Sequence, residues 1–444
     1  MLFVLTSCTA NSDITSSDRV VVNWFVGLGT GSGRDQVAAQ RDVVQHFNES
    51  QDRIELHVEF AANRVANTVL DKRITDGDPP DLIGPVGIGG AAAFHGQFLD
   101  LQPYIDSHGF DVSQYAPKQL DTLREPDGTL TAIPYGVYPA MIYFNRSLFA
   151  EAGLETPPQQ FGAPYAGGEW NMDALTDLAL SLTRDAAGHT AKDPDFNPQE
   201  IVQWGMDFQW ITDPRSLGTF FKPGYLRAQD GSATIPPAWL AQWTWYHNLI
   251  WTQRAAPTAD EQAGERLDRD NAFNSGNVAM SLSHLWYNAS LRDGDGNPQE
   301  FFDVAVVPTY DGTATSNLHS DTFRILKSSE HPDETFTVME YLLGSQTSEL
   351  LQVYGAFPAR QDLQDGFLAA LDEEFPQGVH WSVAVASLDH SDVPNHEAWM
   401  PNHLDAENRL TEFGTMLRSD PAMDVAAEAE RLRADLDTIF AVPG

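Results

Sequence analysis

The sequence predicts an α/β fold built from two lobes. Strand-like and helix-like segments alternate along most of the chain, a pattern typical of largely parallel sheets covered by helices on both faces. The chain has 444 residues, which is enough for two large lobes, and 42% of them are hydrophobic and 11% aromatic. That composition supports packed cores and excludes a disordered chain.

The first elements alternate regularly. Residues 20–26 form an apolar, β-branched run that predicts a buried strand, and residues 35–47 carry a helical stripe of apolar side chains. Residues 54–60 alternate as a second strand, and residues 65–75 predict a helix that ends at DGDPP. The sequence DLIG at 81–84 then predicts a third strand, so this part of the chain predicts a mainly parallel sheet.

The rest of the chain continues the alternation with longer loops. The predicted elements are two β-rich runs after an Asp-Gly turn in 125–149, a helix at 173–184, an aromatic helix at 238–253, a turn and strand in 273–286, a strand–turn–helix unit in 320–345, and a mostly helical C-terminal part. Trp239, Trp243 and Trp245 fall on the aromatic helix, where we expect them to pack in a core.

The chain is strongly acidic, with 63 Asp and Glu against 26 Lys and Arg and a formal net charge of −37. Such a surface repels the phosphate backbone of DNA and RNA, so the charge excludes nucleic acid as a partner. After residue 8 there is no run of 18 or more apolar residues, and the sequence therefore predicts no membrane-spanning helix there.

The single cysteine, Cys8, excludes an intrachain disulfide and has an informative position. It follows the apolar run MLFVLTS, and LTSC resembles a bacterial lipobox, in which the cysteine is lipidated. The run is short for a signal peptide and lacks basic residues, so a chance cysteine is the alternative. We expect residues 1–19 to be a truncated lipoprotein leader and a polar tether, with lipid at Cys8 as the only membrane attachment.

A glycine-rich loop follows the first predicted strand, with glycines at positions 27, 29, 31 and 33. Their spacing does not match the G-x-G-x-x-G dinucleotide motif, and the loop has no lysine for a phosphate-binding P-loop. A nucleophile elbow is also excluded, because Thr30 stands where the first glycine of G-x-S-x-G belongs. The loop is either a ligand site that exposes backbone groups or a flexible surface turn.

Other motifs for catalysis or metal binding are missing from the sequence. There is no H-E-x-x-H motif, no pair of cysteines, and no local signature for a Ser-His-Asp triad. The stretch DGDGNP at 293–298 begins like a calcium loop, but Pro298 and Val304 occupy its sixth and twelfth positions. We therefore expect no catalytic residue, no metal site and no cofactor.

Motifs in a fixed order carry more information than any one of them. DGDPPDLIG (76–84), GQFLDLQPYI (96–105), AIPYGVYPAMIYFNRSLFAEAGLETPP (132–158), FNSGNVAMSLSHLW (273–286), VAVVPTYDG (304–312) and DTFRILKSSEHPDETFTVMEYLL (321–343) follow one another. This order resembles family 1 of the extracellular solute-binding proteins of ABC importers, the carbohydrate-binding group that includes maltose-binding protein.

The resemblance extends over nearly the whole chain from Val20, with two departures. Residues 157–175 look like an insertion after the proline pair, and Leu285 stands where the family has a glycine before its tryptophan. Both departures affect the expected ligand contacts and leave the expected fold unchanged.

The resemblance implies a two-lobe periplasmic-binding-protein fold of type II, in which strands cross a hinge between two α/β lobes. It also implies that a sugar or oligosaccharide binds between the lobes of a monomer, which delivers it to an ABC permease outside the cytoplasm. The expected lobes are 20–134 plus 278–322 and 135–277 plus 323–444, with hinge crossings near 133–138, 273–278 and 320–327.

The resemblance also implies which residues bind the sugar, since such a site needs aromatic faces for the ring and polar groups for the hydroxyls. Trp286 matches the family's stacking tryptophan, with core packing as the alternative. Tyr138 follows the first crossing, and Asp321 lies next to the third, with a turn cap as its alternative. The other candidates are Trp24, Gly27, Gly29, Gly31, Pro85, Gly87, Asp207, Trp210, Tyr225, Tyr354 and Trp399.

Two other functions stay open at this point. The aromatic and acidic content also fits a secreted carbohydrate-active enzyme, such as a lyase or hydrolase, although the hinge motifs do not. The same binding fold could take a peptide, a polyamine or iron, and the acidic composition allows a cationic ligand.

Overall fold

The computed structural model describes residues 19–121, 123–125, 128–209, 214–215, 220–222, 224–267, 271–344, 346–392 and 398–442. The expected lipidation site at Cys8 and the candidate ligand residue Trp210 lie outside the described residues.

The described strands follow the expected order closely. They are β1 (Val20–Val26), β2 (Ile54–Phe60), β3 (Leu82–Val86), β4 (Ile133–Asn145), β5 (Arg184–Asp185), β6 (Ile201–Phe208), β7 (Val278–His284), β8 (Phe302–Ala305), β9 (Thr309–Tyr310), β10 (Thr313–Ala314), β11 (Leu318–Ile325) and β12 (Phe357–Pro358).

Helices connect most of these strands, and a pair of long helices forms the C-terminal part. They are α1 (Arg34–Ser50), α2 (Asn63–Thr75), α3 (Ile88–Ala92), α4 (Gln102–His108), α5 (Pro117–Asp121), α6 (Arg146–Ala152), α7 (Met172–Leu182), α8 (Pro237–Trp251), α9 (Ala259–Gln262), α10 (Pro332–Leu343), α11 (Thr347–Tyr354), α12 (Gln364–Glu374), α13 (Ser382–Ser387), α14 (His403–Ser419) and α15 (Val425–Phe440). None of the described helices is both long enough and apolar enough to cross a membrane.

Local sequence signals explain where several helices begin and end. The side chain of Asn145 accepts hydrogen bonds from the backbone N–H groups of Ser147 and Leu148 at the start of α6, and Gly153 ends that helix in the left-handed conformation. Asn171 caps α7 in the same way, and α10 begins with Pro332, whose missing N–H costs nothing there.

One long strand connects the two halves of the molecule. The strands pair in the order β2-β1-β3-β11-β4-β7-β6-β5, and all 13 residues of β4 are buried. The first half of β4 pairs with β11 and β12, and its second half pairs with β7 and β8. β1 is parallel to β2 and β3, and β6 is parallel to β7. The α/β fold in two lobes, predicted from the alternation of elements, is therefore confirmed.

The pairing of β7 and β11 differs from the expected lobe boundaries. Residues 278–305 pair with the second half of β4 and with β6, so they join the second lobe and not the first. β11 runs back into the first lobe, where Arg324 and Ile325 pair with β3, and α10 and α11 then pack on β1 and α1. Strand order in space, which local patterns do not encode, decides both assignments.

Two of the three expected hinge crossings lie on strands that run between the lobes, and the third does not. Residues 133–138 lie on β4 and residues 320–325 on β11, the two strands that run between the lobes. Residues 273–278 do not cross: Phe273 packs against Tyr287, and Val278 pairs with Trp204 of the same lobe.

The aromatic helix α8 packs into the second lobe as predicted. Trp239 and Trp243 are buried, and their indole N–H groups donate to the carbonyl oxygens of Gly224 and Pro214 at 3.0 Å. Trp243 also lies 4.6 Å from the ring of Phe413 on α14. These tryptophans support the lobe from within and leave ligand recognition to other residues.

Candidate ligand-binding cleft

The glycine loop after β1 folds tightly against the strands that connect the lobes. A Cβ atom on Gly29 would lie 2.7 Å from Oδ1 of Asp321 and 2.9 Å from the backbone nitrogen of Gly87 and the carbonyl oxygen of Pro85. Only glycine fits such an approach. Four of the candidate residues, Gly29, Pro85, Gly87 and Asp321, therefore meet at one point.

The carboxylate of Asp321 holds this point together. Its Oδ2 accepts hydrogen bonds from the backbone N–H of Thr30 at 3.1 Å, from the Thr30 hydroxyl at 2.5 Å and from the Tyr138 hydroxyl at 3.3 Å. Asp321 is only 5% exposed. Because Thr30 lies in the glycine loop, Tyr138 on β4 and Asp321 on β11, the carboxylate joins the first lobe to both connecting strands.

The backbone of the glycine loop is largely used within the protein. The carbonyl oxygen of Gly27 accepts from Asn63 at 3.0 Å, and that of Leu28 accepts from the N–H of Gly87 at 3.1 Å. The N–H of Gly31 donates to Gln36, and its carbonyl oxygen accepts from Gln40 at 2.6 Å. The loop is therefore an ordered wall of the site, stabilised by α1 and α3.

An aromatic group lies beside Asp321. The ring of Trp286 is 5.1 Å from that of Tyr138 in an edge-to-face arrangement. It stacks on His284 at 4.2 Å and meets His319 edge-on at 5.0 Å. Tyr138 and His284 are buried, whereas Trp286 and His319 are partly exposed. Trp286 is thus held in a fixed orientation and still keeps an accessible surface.

Two further tyrosines lie close to the same carboxylate. Tyr135 and Tyr354 are buried, with rings 5.9 Å apart, and their hydroxyls have no hydrogen-bond partner among the described residues. Burial raises the pKa of each phenol well above 10, and the charge of Asp321 raises it further. Both hydroxyls therefore stay protonated at neutral pH and are able to donate hydrogen bonds.

A β-bulge explains how Tyr135 comes to lie near Asp321. In the pairing of β4 with β11, Thr322 is opposite Pro134 and Asp321 is opposite Gly136, so Tyr135 is the extra residue of the bulge. The bulge interrupts the regular alternation of faces at the point where the strand leaves the first lobe.

Asp321 is a charged neighbour of both phenols. The charge of Asp321 raises the pKa of both Tyr135 and Tyr354. The phenol of Tyr115, by contrast, has Arg360 near it, which lowers its pKa against the effect of burial.

The remaining candidates lie elsewhere in the fold. Trp24 is buried in the first lobe, where its indole N–H donates to the carbonyl oxygen of Gly84 at 2.5 Å and its ring lies 6.1 Å from Phe323. Asp207 is buried on β6, and its Oδ1 accepts from Gln262 at 2.7 Å. Burial raises the pKa of Asp207 to about 6.

Tyr225 and Trp399 lie together at a separate surface pocket of the second lobe, lined also by Arg227 and Met400. Tyr225 is 55% exposed. The structure therefore brings together Tyr138, Trp286, Asp321, Tyr354 and the glycine loop, and it places Tyr225 and Trp399 apart from them.

Comparison with known proteins agrees with this architecture. The sequence profile of the bacterial extracellular solute-binding proteins matches residues 30–349. The chain belongs to this family. The match confirms the resemblance drawn from the order of the motifs.

Solved structures of other solute-binding proteins superpose over almost the full length. An ABC substrate-binding protein from Listeria monocytogenes, in complex with cycloalternan, is 18% identical with a TM-score of 0.70, covering 96% of this chain and 100% of its own. The sugar-binding protein MalE from Xanthomonas citri is also 18% identical, with a TM-score of 0.69 and coverage of 95% and 98%. These likenesses establish the two-lobe fold.

Curated relatives match over a shorter stretch. The sn-glycerol-3-phosphate-binding periplasmic protein of Brucella abortus is 27% identical over 144 residues, which is 31% of this chain and 32% of the relative. The match thus spans about a third of the length of that relative.

Four residues of the site escaped the sequence analysis as ligand candidates: Thr30, Tyr135, His284 and His319. Thr30 had a usable signal, because a hydroxyl residue among the glycines of the loop is well placed to bond to a neighbouring carboxylate. Tyr135 depends on the bulge, and the two histidines depend on the pairing of β7 and β11 with β4. No local pattern predicts those positions.

Proposed function

We propose that this solute-binding protein captures a sugar or oligosaccharide between its lobes, at the group formed by Tyr138, Trp286 and Asp321, and delivers it to an ABC permease. The observation that carries the proposal is the partly exposed Trp286 ring, fixed beside a buried carboxylate and protonated phenols. A pyranose offers an apolar face for the indole and hydroxyls for the polar groups, so one ligand satisfies both.

The same group argues against a phosphorylated ligand, although the Brucella abortus relative is named for sn-glycerol 3-phosphate. A phosphate bound there would be repelled by the Asp321 carboxylate, whose charge raises the pKa of both phenols. A neutral polyol carries no such penalty. The ligand in the complex of the Listeria protein, cycloalternan, belongs to the class we propose.

The remaining features of the proposal follow from the family. Its members are solute-binding proteins, and we propose that this chain likewise binds without catalysis and acts as a monomer. We also propose, from the LTSC sequence, that a lipid on Cys8 anchors the protein to the cell membrane, with the protein outside the cytoplasm. Closure of the lobes on the ligand would then select one of two arrangements of the connecting strands.

The proposal is tested by thermal shift, followed by isothermal titration calorimetry of the purified protein. The probes are maltose, cycloalternan and a panel of other neutral sugars, with sn-glycerol 3-phosphate and spermidine as alternatives of opposite charge. A ligand at 100 times its dissociation constant stabilises the folded state by about 2.7 kcal/mol. We expect a response to one neutral sugar class and no product by chromatography.

Two variants distinguish an effect on sugar binding from an effect on folding stability. Trp286→Ala should abolish or strongly weaken sugar binding. Trp251→Ala removes a tryptophan whose indole N–H bonds to Leu417 in the second lobe, and should lower stability without changing affinity. A response to sn-glycerol 3-phosphate or spermidine in place of sugars would overturn the ligand class and leave the fold intact.

A further inference from the structure

One aromatic contact bridges the two lobes in addition to the connecting strands. The imidazole of His95 stacks on the indole of Trp399, with ring centroids 4.3 Å apart and planes inclined by 23°. The two residues are separated by more than 300 positions in the sequence and belong to different lobes.

His95 is firmly part of the first lobe. Its neighbour Phe94 lies in the apolar cluster that contains Phe25 and Ile83, and Phe98 forms a bridge with Leu326 just after β11. Nδ1 of His95 lies 3.7 Å from a carboxylate oxygen of Glu125, another first-lobe residue. Contacts within the first lobe thus position the imidazole of His95.

Trp399 is held in the same way by the second lobe. The carbonyl oxygen of the preceding residue, Ala398, accepts a hydrogen bond from Arg215 at 3.3 Å, and Arg215 in turn pairs with Glu407 on α14. The guanidinium carbon of Arg227 lies 5.4 Å from the centre of the indole, a cation–π contact. Each ring is therefore positioned by its own lobe before the two meet, which lowers the entropy lost on contact.

Helix α3 connects this contact to the proposed ligand site. Gly87, at the start of α3, lies beside Asp321, and His95 follows the end of the same short helix. Gly87 and His95 thus flank one short segment, which consists of α3 and the turn that follows it. A movement of the first lobe that brings Gly87 toward or away from a ligand therefore also moves His95 relative to Trp399.

We propose that His95 and Trp399 form an interlobe latch, a pair of positioning residues whose contact stabilises the closed arrangement of the lobes. The contact exists only while the lobes are together, so it adds to the stability of that arrangement alone. This inference rests on the proposed capture between lobes, and it assigns Trp399 to closure where the sequence analysis assigned it to sugar binding. Apparent affinity scales with the fraction of protein in the closed arrangement.

The chain offers a matched control for the latch. Phe161 stacks on His390 with centroids 3.7 Å apart and planes inclined by 22°, nearly the same geometry as His95 on Trp399. Both members of the control pair belong to the second lobe. The carbonyl oxygen of Pro158, three residues before Phe161, accepts from Val306 just after β8. That of His390 accepts from Ser316, which bonds to Ala140 in the half of β4 that pairs with β7. Loss of this stack should affect folding stability and not closure.

The test measures the interlobe distance directly and needs no ligand. Spin labels at Lys72→Cys on α2 and Glu412→Cys on α14, both exposed, in a Cys8→Ser background, report the distance distribution by double electron–electron resonance. We expect His95→Ala and Trp399→Ala to shift the distribution toward longer distances. Phe161→Ala should leave it unchanged, and Trp399→Phe, which keeps a ring for stacking, should restore most of the short distances.

A double variant adds a second criterion. If the two rings act only on each other, His95→Ala combined with Trp399→Ala should shift the distribution no further than either single change. For a sugar found by thermal shift, each single change should weaken binding between about twofold and tenfold, the range of one aromatic pair. Distributions that match those of wild type in both latch variants would overturn the latch, whatever the ligand screen shows. A silent sugar screen with shifted distributions would overturn the ligand class instead.

Discussion

The hydroxyl of Thr30 donates a 2.5 Å hydrogen bond to Oδ2 of Asp321, although 291 residues separate them in the sequence. The backbone N–H of Thr30 donates to the same oxygen. One carboxylate from the strand that returns to the first lobe thus fixes the loop that follows the first strand. The loop, the connecting strands and the aromatic rings beside them therefore form one structural unit.

Removal of the Thr30 hydroxyl should loosen this unit. We expect Thr30→Val to weaken binding of the cognate solute by about tenfold, because a hydrogen bond to a charged acceptor contributes about 1.5–3 kcal/mol and the carboxylate loses part of its fixed geometry. Thr30→Ser keeps the hydroxyl and should bind nearly as tightly as wild type. Calorimetric titration of the three proteins measures the difference, and equal affinities would count against a role for this bond in the site.

Gly29 should not tolerate a side chain. A Cβ atom there would lie 2.9 Å from two backbone atoms, the nitrogen of Gly87 and the carbonyl oxygen of Pro85, and these cannot rotate away. We expect Gly29→Ala to lower the free energy of unfolding by about 1–3 kcal/mol and to weaken ligand binding. Gly366→Ala, on α12 with nothing within 4 Å of its Cβ, should leave stability unchanged or raise it. Urea unfolding of both variants provides the comparison.

Asp207 should make stability depend on pH. Burial raises its pKa to about 6 from an ordinary value near 3.8, so between these values the folded state binds more protons than the unfolded state. Stability from this group is therefore present below about pH 4 and is lost as the pH rises to about 6, by up to about 3 kcal/mol. Asp207→Asn should flatten the wild-type decline between pH 4 and pH 6 in urea unfolding; an unchanged slope would show that Asp207 is not its source.

Asp303 should have the opposite dependence. Burial raises the pKa of this carboxyl, but hydrogen bonds from the backbone N–H of His380, from Arg146 and from the side chain of His380 outweigh it, and the pKa is lowered overall. Its stabilising contribution is thus present above the ordinary pKa and is lost as the pH falls below about 4. We expect Asp303→Asn to cost about 3–5 kcal/mol at pH 7, since Arg146 loses a buried partner.

The control for Asp303 is an ion pair of similar type near the surface. Asp362 pairs with Arg360 at 2.7 Å, and about half of its side chain is exposed. Asp362→Asn should change the free energy of unfolding by less than about 1 kcal/mol. Comparable losses in the two variants, measured by thermal unfolding at pH 7, would argue against a special role for the buried carboxylate.

Much of the secondary structure follows from local patterns. The apolar run at Val20–Val26 and the alternation at Ile54–Phe60 appear as β1 and β2, and the tryptophan-rich helix packs in the second lobe. Local patterns do not predict which lobe a strand belongs to. The residues of β7 were expected in the first lobe, but they pair with the second half of β4, since strand neighbours in a two-lobe fold are set by contacts distant in sequence.

The site shows the same division. Asp321 and the glycines around Thr30 could be predicted as ligand-binding candidates from the sequence. Residue type and spacing indicate which chemical groups a segment offers to a ligand. Tertiary structure decides three features of this region. Asp321 accepts a hydrogen bond from the Thr30 hydroxyl, the β-bulge places Tyr135 near it, and the ring of Trp399 stacks on that of His95. Helices, strands and turns depend largely on residues a few positions apart, so most of them could be predicted from the sequence. Contacts between lobes depend on how strands from distant parts of the chain pair, and only the folded structure specifies that pairing.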